Sequence, residues 1–526
     1  MFRSLDRQRT AGHSQSAHFP SRRRLAMLAM ILGLVATAGL AGSRLSHGTT
    51  TRPSGPGTGK PAAVNIDPSR TEGRIPLGFL GVSLEYWALE ADAGRDPKAV
   101  NPVLVQLLRE LAPGQQLSLR IGGVTTDKTW WPVAGFVRPP GVNYSLNARR
   151  LAVVKALAQS VGARLIMGIN LEADSGRLAR GQAQAMLTHI GSGRIQAFEL
   201  GNEPELYGNP NFGWYKRNGR YVAGRSRRYD LASFTKDFAR IGAALPRAPL
   251  AGPGGWAGSW LTDLDQFIRA EPGLGLVTVH LYPFQGCFAT PASPVYPTIA
   301  RLLSPVASLG EADRVVPFVN QAKSDHVPLR IDEMNTVSCG NPPGIANTFA
   351  MALWALDSLF ADAQVGVDGV NIHTWPGAIY QLFTFHHVKS GWQGYVEPEY
   401  YGLLMFARAA PAGSRLVETS STSDAIRAWT TRAPDGRIRV LLINDDTASA
   451  HVVSVKLPGS KRTGRLERLR APSATATSGV TLGSQRFAPE TKTGLLIGPQ
   501  RIETVSPSSG SYLVRLPAAS AALLVL

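Results

Sequence analysis

Apolar and polar positions alternate between two rhythms along the chain. From about residue 78 to 405, short continuous apolar segments are separated by longer stretches with helical spacing. The apolar segments are "LGFLGVSLE", "LSLRIGG", "ARLIMGIN", "IQAFELGN", "APLAGP", "LVTVHLY", "PLRIDE" and "GVDGVNIHT". Between them lie "NPVLVQLLRELA", "ARRLAVVKALAQSVG" and "NTFAMALWALDSLFADAQ". In the last, Phe349, Leu353, Leu356 and Phe360 recur at three- and four-residue steps, which predicts one apolar helix face. Apolar strands separated by helices predict a parallel sheet covered by helices. Eight such units predict a (β/α)8 barrel. A doubly wound sheet is the rival; it needs fewer strands and usually a Gly-rich phosphate turn, which "LRIGGV" is not.

After about residue 411 the helical rhythm stops. "AIRAWTTR", "RIRVLLINDD", "HVVSVKL", "RLERLRA" and "SYLVRLPAASAALLVL" read as strands, and an antiparallel β-sandwich over 411–526 is expected. The segment 64–77, containing "AAVNIDPSR" from just before it, is expected to add a strand to that domain, leaving 78–410 for the barrel.

The first 63 residues have another character. Arg22 to Arg24, the apolar run Leu25 to Val35 and the small residues Ala36-Thr37-Ala38 follow the order of an export signal over 1–41. Ser21-Arg22-Arg23 also permits a twin-arginine reading, and an uncleaved leader would be a membrane anchor. The run is short for a membrane span, so no stable insertion is expected after export to the periplasm or medium. Residues 42–63 are rich in Ser, Thr, Gly and Pro and are expected to form a disordered linker.

Composition changes this picture little. The chain of 526 residues is 44% hydrophobic and 17% charged, enough for more than one folded domain. Its net charge is +18, of which residues 1–60 carry +8, from nine Lys/Arg and one Asp, leaving +10 for the body. A basic body fits an acidic partner, and a general compositional bias fits equally well. No dense basic run with interleaved aromatics occurs, so a nucleic-acid partner is not expected. Two cysteines, Cys287 and Cys339, exclude a disulfide framework; no metal cluster is seen, and no cofactor is implied.

In a barrel, chemistry sits at the C-terminal ends of the strands. There the fourth segment ends in Asn202-Glu203, the sixth in His280 and Tyr282, the seventh in Glu333 and the eighth in His373; the second carries Arg120 and leads to Asp127. Two carboxylates at the mouths of strands four and seven, about 5 Å apart, would suit retaining glycoside hydrolysis, one attacking the sugar carbon and the other protonating the leaving oxygen.

"FELGNEPELY" with "LRIDEMNTVSCG" resembles glycoside hydrolase family 79, the β-glucuronidase and heparanase family of clan A. The resemblance extends through "LRIGGVTTD", "HLYP", "GVNIHT" and the closing "YLVRLPAASAALLVL". It implies Glu203 as acid/base and Glu333 as nucleophile, Asn202 on the sugar 2-hydroxyl, and Arg120 and Tyr282 orienting Glu333. It also implies that Gly340, His373 and Tyr380 serve the glucuronate, with Ser338 standing where the pattern has a tyrosine, so uronate and neutral sugar both stay open. Glu85 and Asp127 are the expected partners of ring hydroxyls. Cys287 and Cys339 fall in adjacent loops after strands six and seven, and a bridge there would hold the subsite; two unrelated thiols are the alternative.

The expected activity is therefore that of a retaining exo-β-glucuronidase, releasing glucuronic acid or a substituted uronate from a β-glucuronide or an acidic glycan. A heparanase-like endo-hydrolase, another clan A β-glycosidase and a carbohydrate-binding barrel without turnover are the other readings.

Overall fold

The computed structural model describes residues 61–526 apart from 257 and 340–343. The export segment and nearly all of the linker lie outside the described residues. No described helix is long and apolar enough to cross a membrane.

Eight parallel strands close into a barrel: Leu80–Glu85, Ser118–Gly122, Arg164–Ile169, Ile195–Leu200, Leu250–Trp256, Leu274–Leu281, Leu329–Met334 and Gly369–Thr374. They are called strands one to eight below. Closure disposes of the doubly wound alternative. The strands are buried along almost their whole length because one face looks into the barrel and the other onto helices. Each is followed by a helix; the eight are Pro102–Leu111, Ala148–Val161, Gly176–His189, Leu231–Gly242, Leu264–Ala270, Leu309–Ser324, Phe349–Val365 and Pro398–Ala409. Local chemistry starts several of them. Asn101, Asn147, Ser175 and Asp230 each accept from a backbone N–H of the first turn.

The N-terminal mouth is plugged by polar side chains. Arg330 donates to the carbonyls of Gly78 (3.0 Å) and Phe79 (2.9 Å), and Asn371 to those of Val82 (3.0 Å) and Ser118 (3.1 Å). The opposite mouth is left open to hold the site.

The second sheet follows the barrel. Its order is Thr481–Leu482, Gly464–Arg470, Ser520–Val525, Ile438–Asn444, Ile426–Arg432, Arg415–Ser421, Ala62–Arg74, His451–Lys456 and Ser511–Leu516, with Glu503–Val505 also on Gly464–Arg470. It is one continuous sheet. The strand ahead of the barrel is its hinge: Ala62–Arg74 pairs antiparallel with Arg415–Ser421 and parallel with His451–Lys456. Register breaks after Ile66 let this strand turn. Val453 and Val514 at one end then share a single apolar core with Val440 and Leu524 from the middle. The sandwich is a sheet folded over itself, antiparallel except at that one pair.

The helix Phe349–Val365 differs from its expected one-sided pattern, since every residue from Phe349 to Ala363 is buried. The second domain covers the face that the barrel leaves. Phe360 stacks on Trp429 (ring centroids 5.7 Å), and the Trp429 indole donates to Asp357 at 2.7 Å. The first helical N–H groups, of Phe349 and Ala350, donate to the carbonyls of Ala476 and Ala474. Groups a helix start leaves unpaired are thus satisfied across the domain boundary.

Candidate active site

Strand four ends by changing hand. Gly201 has φ 85° and Glu203 has φ 46°, the left-handed region that a glutamate rarely adopts. The Glu203 N–H donates to Gly254 O at 2.8 Å, and Pro204 starts a short 3-10 turn directly after it. Together they hold the carboxyl at the open mouth, half-buried. Strained backbone of this kind persists where the surroundings over-determine it.

Arg120, rising from strand two, is wholly buried and organises the centre. Its Nη1 lies 2.5 Å from Glu333 Oε2, and its Nη2 donates to Asn202 Oδ1 at 2.9 Å. Its Nε donates to Glu199 (2.7 Å) and lies 2.9 Å from Asp332. Tyr282 donates to the other Glu333 oxygen at 2.8 Å. Burial alone would push the Glu333 carboxyl up, but His373, His280, Arg120 and the Tyr282 hydroxyl hold it far below the usual carboxylate range. Beneath it, burial and the charge of Glu199 push Asp332 well up. Burial acts the same way on Glu199, but Arg120 outweighs it and holds that group down. Asp332 therefore keeps its proton and Glu199 its charge.

His280 joins the two glutamates. Arg120 Nη2 lies 3.2 Å from its Nε2. Its Nδ1 lies 3.3 Å from Glu203 Oε1; burial pulls the imidazole down, but the Glu333 charge and the Glu203 contact outweigh it and push it up to about 9. A Glu203 oxygen, a His280 nitrogen and a Glu333 oxygen all lie within 4.8 Å of one another. Glu199, His280 and Asp332 form a second such group. Such spacing suits metal donors, but Arg120 already stands as a fixed cation beside Glu333 in the one group and beside Glu199 and Asp332 in the other.

Ser83, on strand one, takes Arg120 Nη1 at 3.3 Å and lies 3.0 Å from His373 Nδ1. His373 is thereby placed between Glu85 (3.6 Å) and Glu333 (3.9 Å). Glu85 is itself pinned by the N–H groups of Val124 (3.0 Å) and Thr125 (2.9 Å) and by the Thr125 hydroxyl. Tyr380 is buried with its ring 6.3 Å from those of Tyr282 and His373. Burial and then the Glu333 charge push its hydroxyl up, so it stays a donor.

Two expected residues, Asp127 and Ser338, are engaged by protein groups. Asp127 is spent on the protein itself. It accepts from the N–H groups of Leu171 (2.8 Å), Glu172 (3.0 Å) and Asn202 (3.0 Å) and from the Tyr207 hydroxyl (2.7 Å), which fill its acceptor sites. It braces the Asn202 turn instead. Ser338 is exposed; its N–H donates to Phe284 O at 2.9 Å, continuing the pairing of strands six and seven past the barrel rim. Gly340 lies outside the described residues. Cys287 and Cys339 are joined in a disulfide with Cα atoms 5.4 Å apart.

Sequence reasoning passed over Glu199, Asp332, Ser83 and Glu205. Glu199 and Asp332 carried a signal, since each is an acid inside an otherwise apolar barrel strand. Glu205 follows Glu203 by two residues and accepts from Trp256 N–H at 2.7 Å. Its other oxygen is buried with no partner among the described residues. Burial and the nearby Glu203 charge push its carboxyl up to about 7.

Comparison with known proteins agrees with this geometry. Residues 428–523 match the glycosyl hydrolase family 79 C-terminal beta domain. A β-glucuronidase of Neurospora crassa is 21% identical over 398 residues, covering 68% of each chain. A β-glucuronidase of Aspergillus niger is 24% identical over 506 residues, covering 85% of this chain and 90% of that one. The crystal structure of a 4-O-α-L-rhamnosyl-β-D-glucuronidase from Fusarium oxysporum superposes with a TM-score of 0.69 at 19% identity, over 88% of this chain and 100% of that one. Over residues 428–523 the chain thus carries a glycosyl hydrolase family 79 C-terminal beta domain, and as a whole it is similar to β-glucuronidases.

Proposed function

We propose that the chain is a retaining β-glucuronidase acting on the terminal uronate of a β-glucuronide. The observation that carries the mechanism is the approach of Glu203 and Glu333, with carboxylate oxygens within 4.8 Å. Retaining enzymes hold their carboxyl groups about 5–5.5 Å apart; a wider gap would leave room for water on the far face of the sugar. Glu333 attacks the anomeric carbon as a carboxylate, ionised by its surroundings. Glu203 gives its proton to the glycosidic oxygen, and the bond to the leaving group breaks. Glu203 then takes a proton from water as that water attacks the glycosyl ester, releasing the sugar with its anomeric configuration kept. Asn202, whose amide oxygen is committed to Arg120, presents its NH2 to the 2-hydroxyl.

The uronate assignment draws on the β-glucuronidase relatives and on Tyr380, a buried hydroxyl donor on the strand-eight side of Glu333. The endo reading is favoured by one feature, the basic hairpin Lys216, Arg217 and Arg220 beside the mouth. Export of the enzyme is also proposed, on the N-terminal leader and on the disulfide, which persists in oxidising compartments.

A panel of 4-nitrophenyl β-glycosides, with NMR of the first-formed sugar, tests the reading. Hydrolysis of the glucuronide to the β-anomer is expected. Release of the α-anomer, or preference for a neutral glycoside, would overturn it.

A further inference from the structure

One cavity adjoins Glu203 but not Glu333. It has a volume of about 240 Å³, and Asn202 and Glu203 form its inner wall. Glu333, Tyr282, His373 and Tyr380 contribute nothing to it. During hydrolysis the sugar carbon lies between the two glutamates, so a space beyond Glu203 on the side away from Glu333 receives the leaving group. Resting on the retaining β-glucuronidase reading, we infer that this cavity is a subsite for a sugar ring, and that the natural leaving group is a glycan residue rather than an alkyl alcohol.

The lining has the chemistry for it. Phe212, Trp214 and Tyr221 give ring faces, suited to the C–H face of a pyranose. Lys128, Glu172 and Asn211 stand among them as partners for hydroxyls. Burial and the neighbouring Asp127 push Glu172 up to about 9, so it offers both a donor and an acceptor oxygen. The volume lies below the 300–1,000 Å³ usual for whole ligands and suits one ring.

The rings are placed by the fold and left uncovered. Phe212 and Tyr221 come from the loop and hairpin after strand four and are 39% and 51% exposed. Phe212 meets Phe288, 61% exposed, edge to face at 5.7 Å. Phe288 follows Cys287, so the disulfide holds the outer end of the platform. The Trp214 indole donates to Asp127 O at 2.7 Å, which ties the inner end to the brace under Asn202.

The experiment compares kcat/KM for a β-glucuronosyl-hexose disaccharide with that for methyl β-glucuronide. The variants are Phe212→Ala and Tyr221→Ala, both at exposed positions. The ratio of disaccharide to methyl glucuronide is expected to fall about tenfold in each, chiefly through KM, the size of one good aromatic contact. An unchanged ratio in both variants, with the wild type cleaving both substrates, would overturn the subsite. Preference of the wild type for an aryl over a disaccharide leaving group, lost in Phe212→Ala, would assign the platform to an aryl group and overturn the sugar. Failure of the wild type on both substrates would instead count against the glucuronidase reading.

Discussion

The Arg120 guanidinium lies 2.5 Å from Glu333 and is the cation nearest the proposed nucleophile in a centre that also buries Glu199 and Asp332. Taking both charges of such a pair out of water gains little net stability, but removing one partner strands the other. Arg120→Met should therefore destabilise the fold by about 3–5 kcal/mol. Arg120→Lys keeps a charge but loses the fork that reaches Glu333, Glu199 and Asn202 at once. Its activity should fall, and the acid limb of its pH profile should move to higher pH. The sign follows from Glu333. A depressed carboxylate contributes stability and activity above its unfolded pKa, lost only as pH falls through the low folded value. Weakening the cation raises that value. A folded Arg120→Lys enzyme with an unmoved acid limb would show that Arg120 has no hold on Glu333.

The two glutamates should separate by leaving group. Glu203→Gln should lower kcat about 10²–10⁴-fold on an alkyl β-glucuronide, the usual worth of general acid catalysis. On a 4-nitrophenyl glucuronide, whose leaving group needs little protonation, bond cleavage should suffer less. Glu333→Gln should abolish turnover of both. Thermal melting should hardly change in Glu203→Gln, whose side chain is half-buried and, among the described residues, hydrogen-bonded through His280 alone. Equal losses on the two substrates in Glu203→Gln would remove its role as acid.

Much of this site was legible in the sequence because barrel strands are continuous apolar runs and their last polar residues face one mouth. Glu203, Glu333, Tyr282 and His373 could be placed on that logic. Arg120 was placed as a partner of Glu333, but its reach to Glu199, Asp332 and Asn202 depends on side chains crossing the barrel, which no local pattern records. The bracing role of Asp127 was not legible because a carboxylate beside a rim looks alike whether it faces solvent or backbone N–H groups. The helix Phe349–Val365 was seen as one-sided because the second domain that covers its outer face is far along the chain. The fold-over of the second sheet rests on a strand from before the barrel, a pairing across more than 340 residues.

Glu205 makes stability depend on pH near neutrality. Its carboxyl titrates at about 7 in the fold, raised first by burial and next by Glu203. The sign is the reverse of the Glu333 case. Between the unfolded value of about 4.3 and 7, the folded chain binds the extra proton, so stability falls as pH rises through that window and levels off above it. Glu205→Gln keeps the shape and the acceptor for Trp256 N–H without the ionisation. Denaturant unfolding of wild type and variant at pH 5 and pH 8 should show a smaller loss in the variant. Parallel curves would mean that Glu205 does not titrate in this window.

On the proposed reading, specificity for the uronate rests on Tyr380. A carboxylate enclosed beside Glu333 must be given donors, because a buried unpaired charge is costly and the neighbouring glutamate repels it. Ser338 is exposed at the rim, so the burden falls on the Tyr380 hydroxyl, which packs between Tyr282 and His373 and stays protonated. Losing one hydrogen bond to a charged group costs about 1.5–3 kcal/mol, or roughly ten- to a hundredfold. Tyr380→Phe keeps the ring and its packing and removes only the donor. It should lower kcat/KM on 4-nitrophenyl β-glucuronide by that factor, mainly through KM, and hardly touch the β-glucoside, which has no carboxylate to lose. Equal losses on the two substrates would make Tyr380 a wall of the pocket, and the uronate would then have to be held from the loop beyond Ser338.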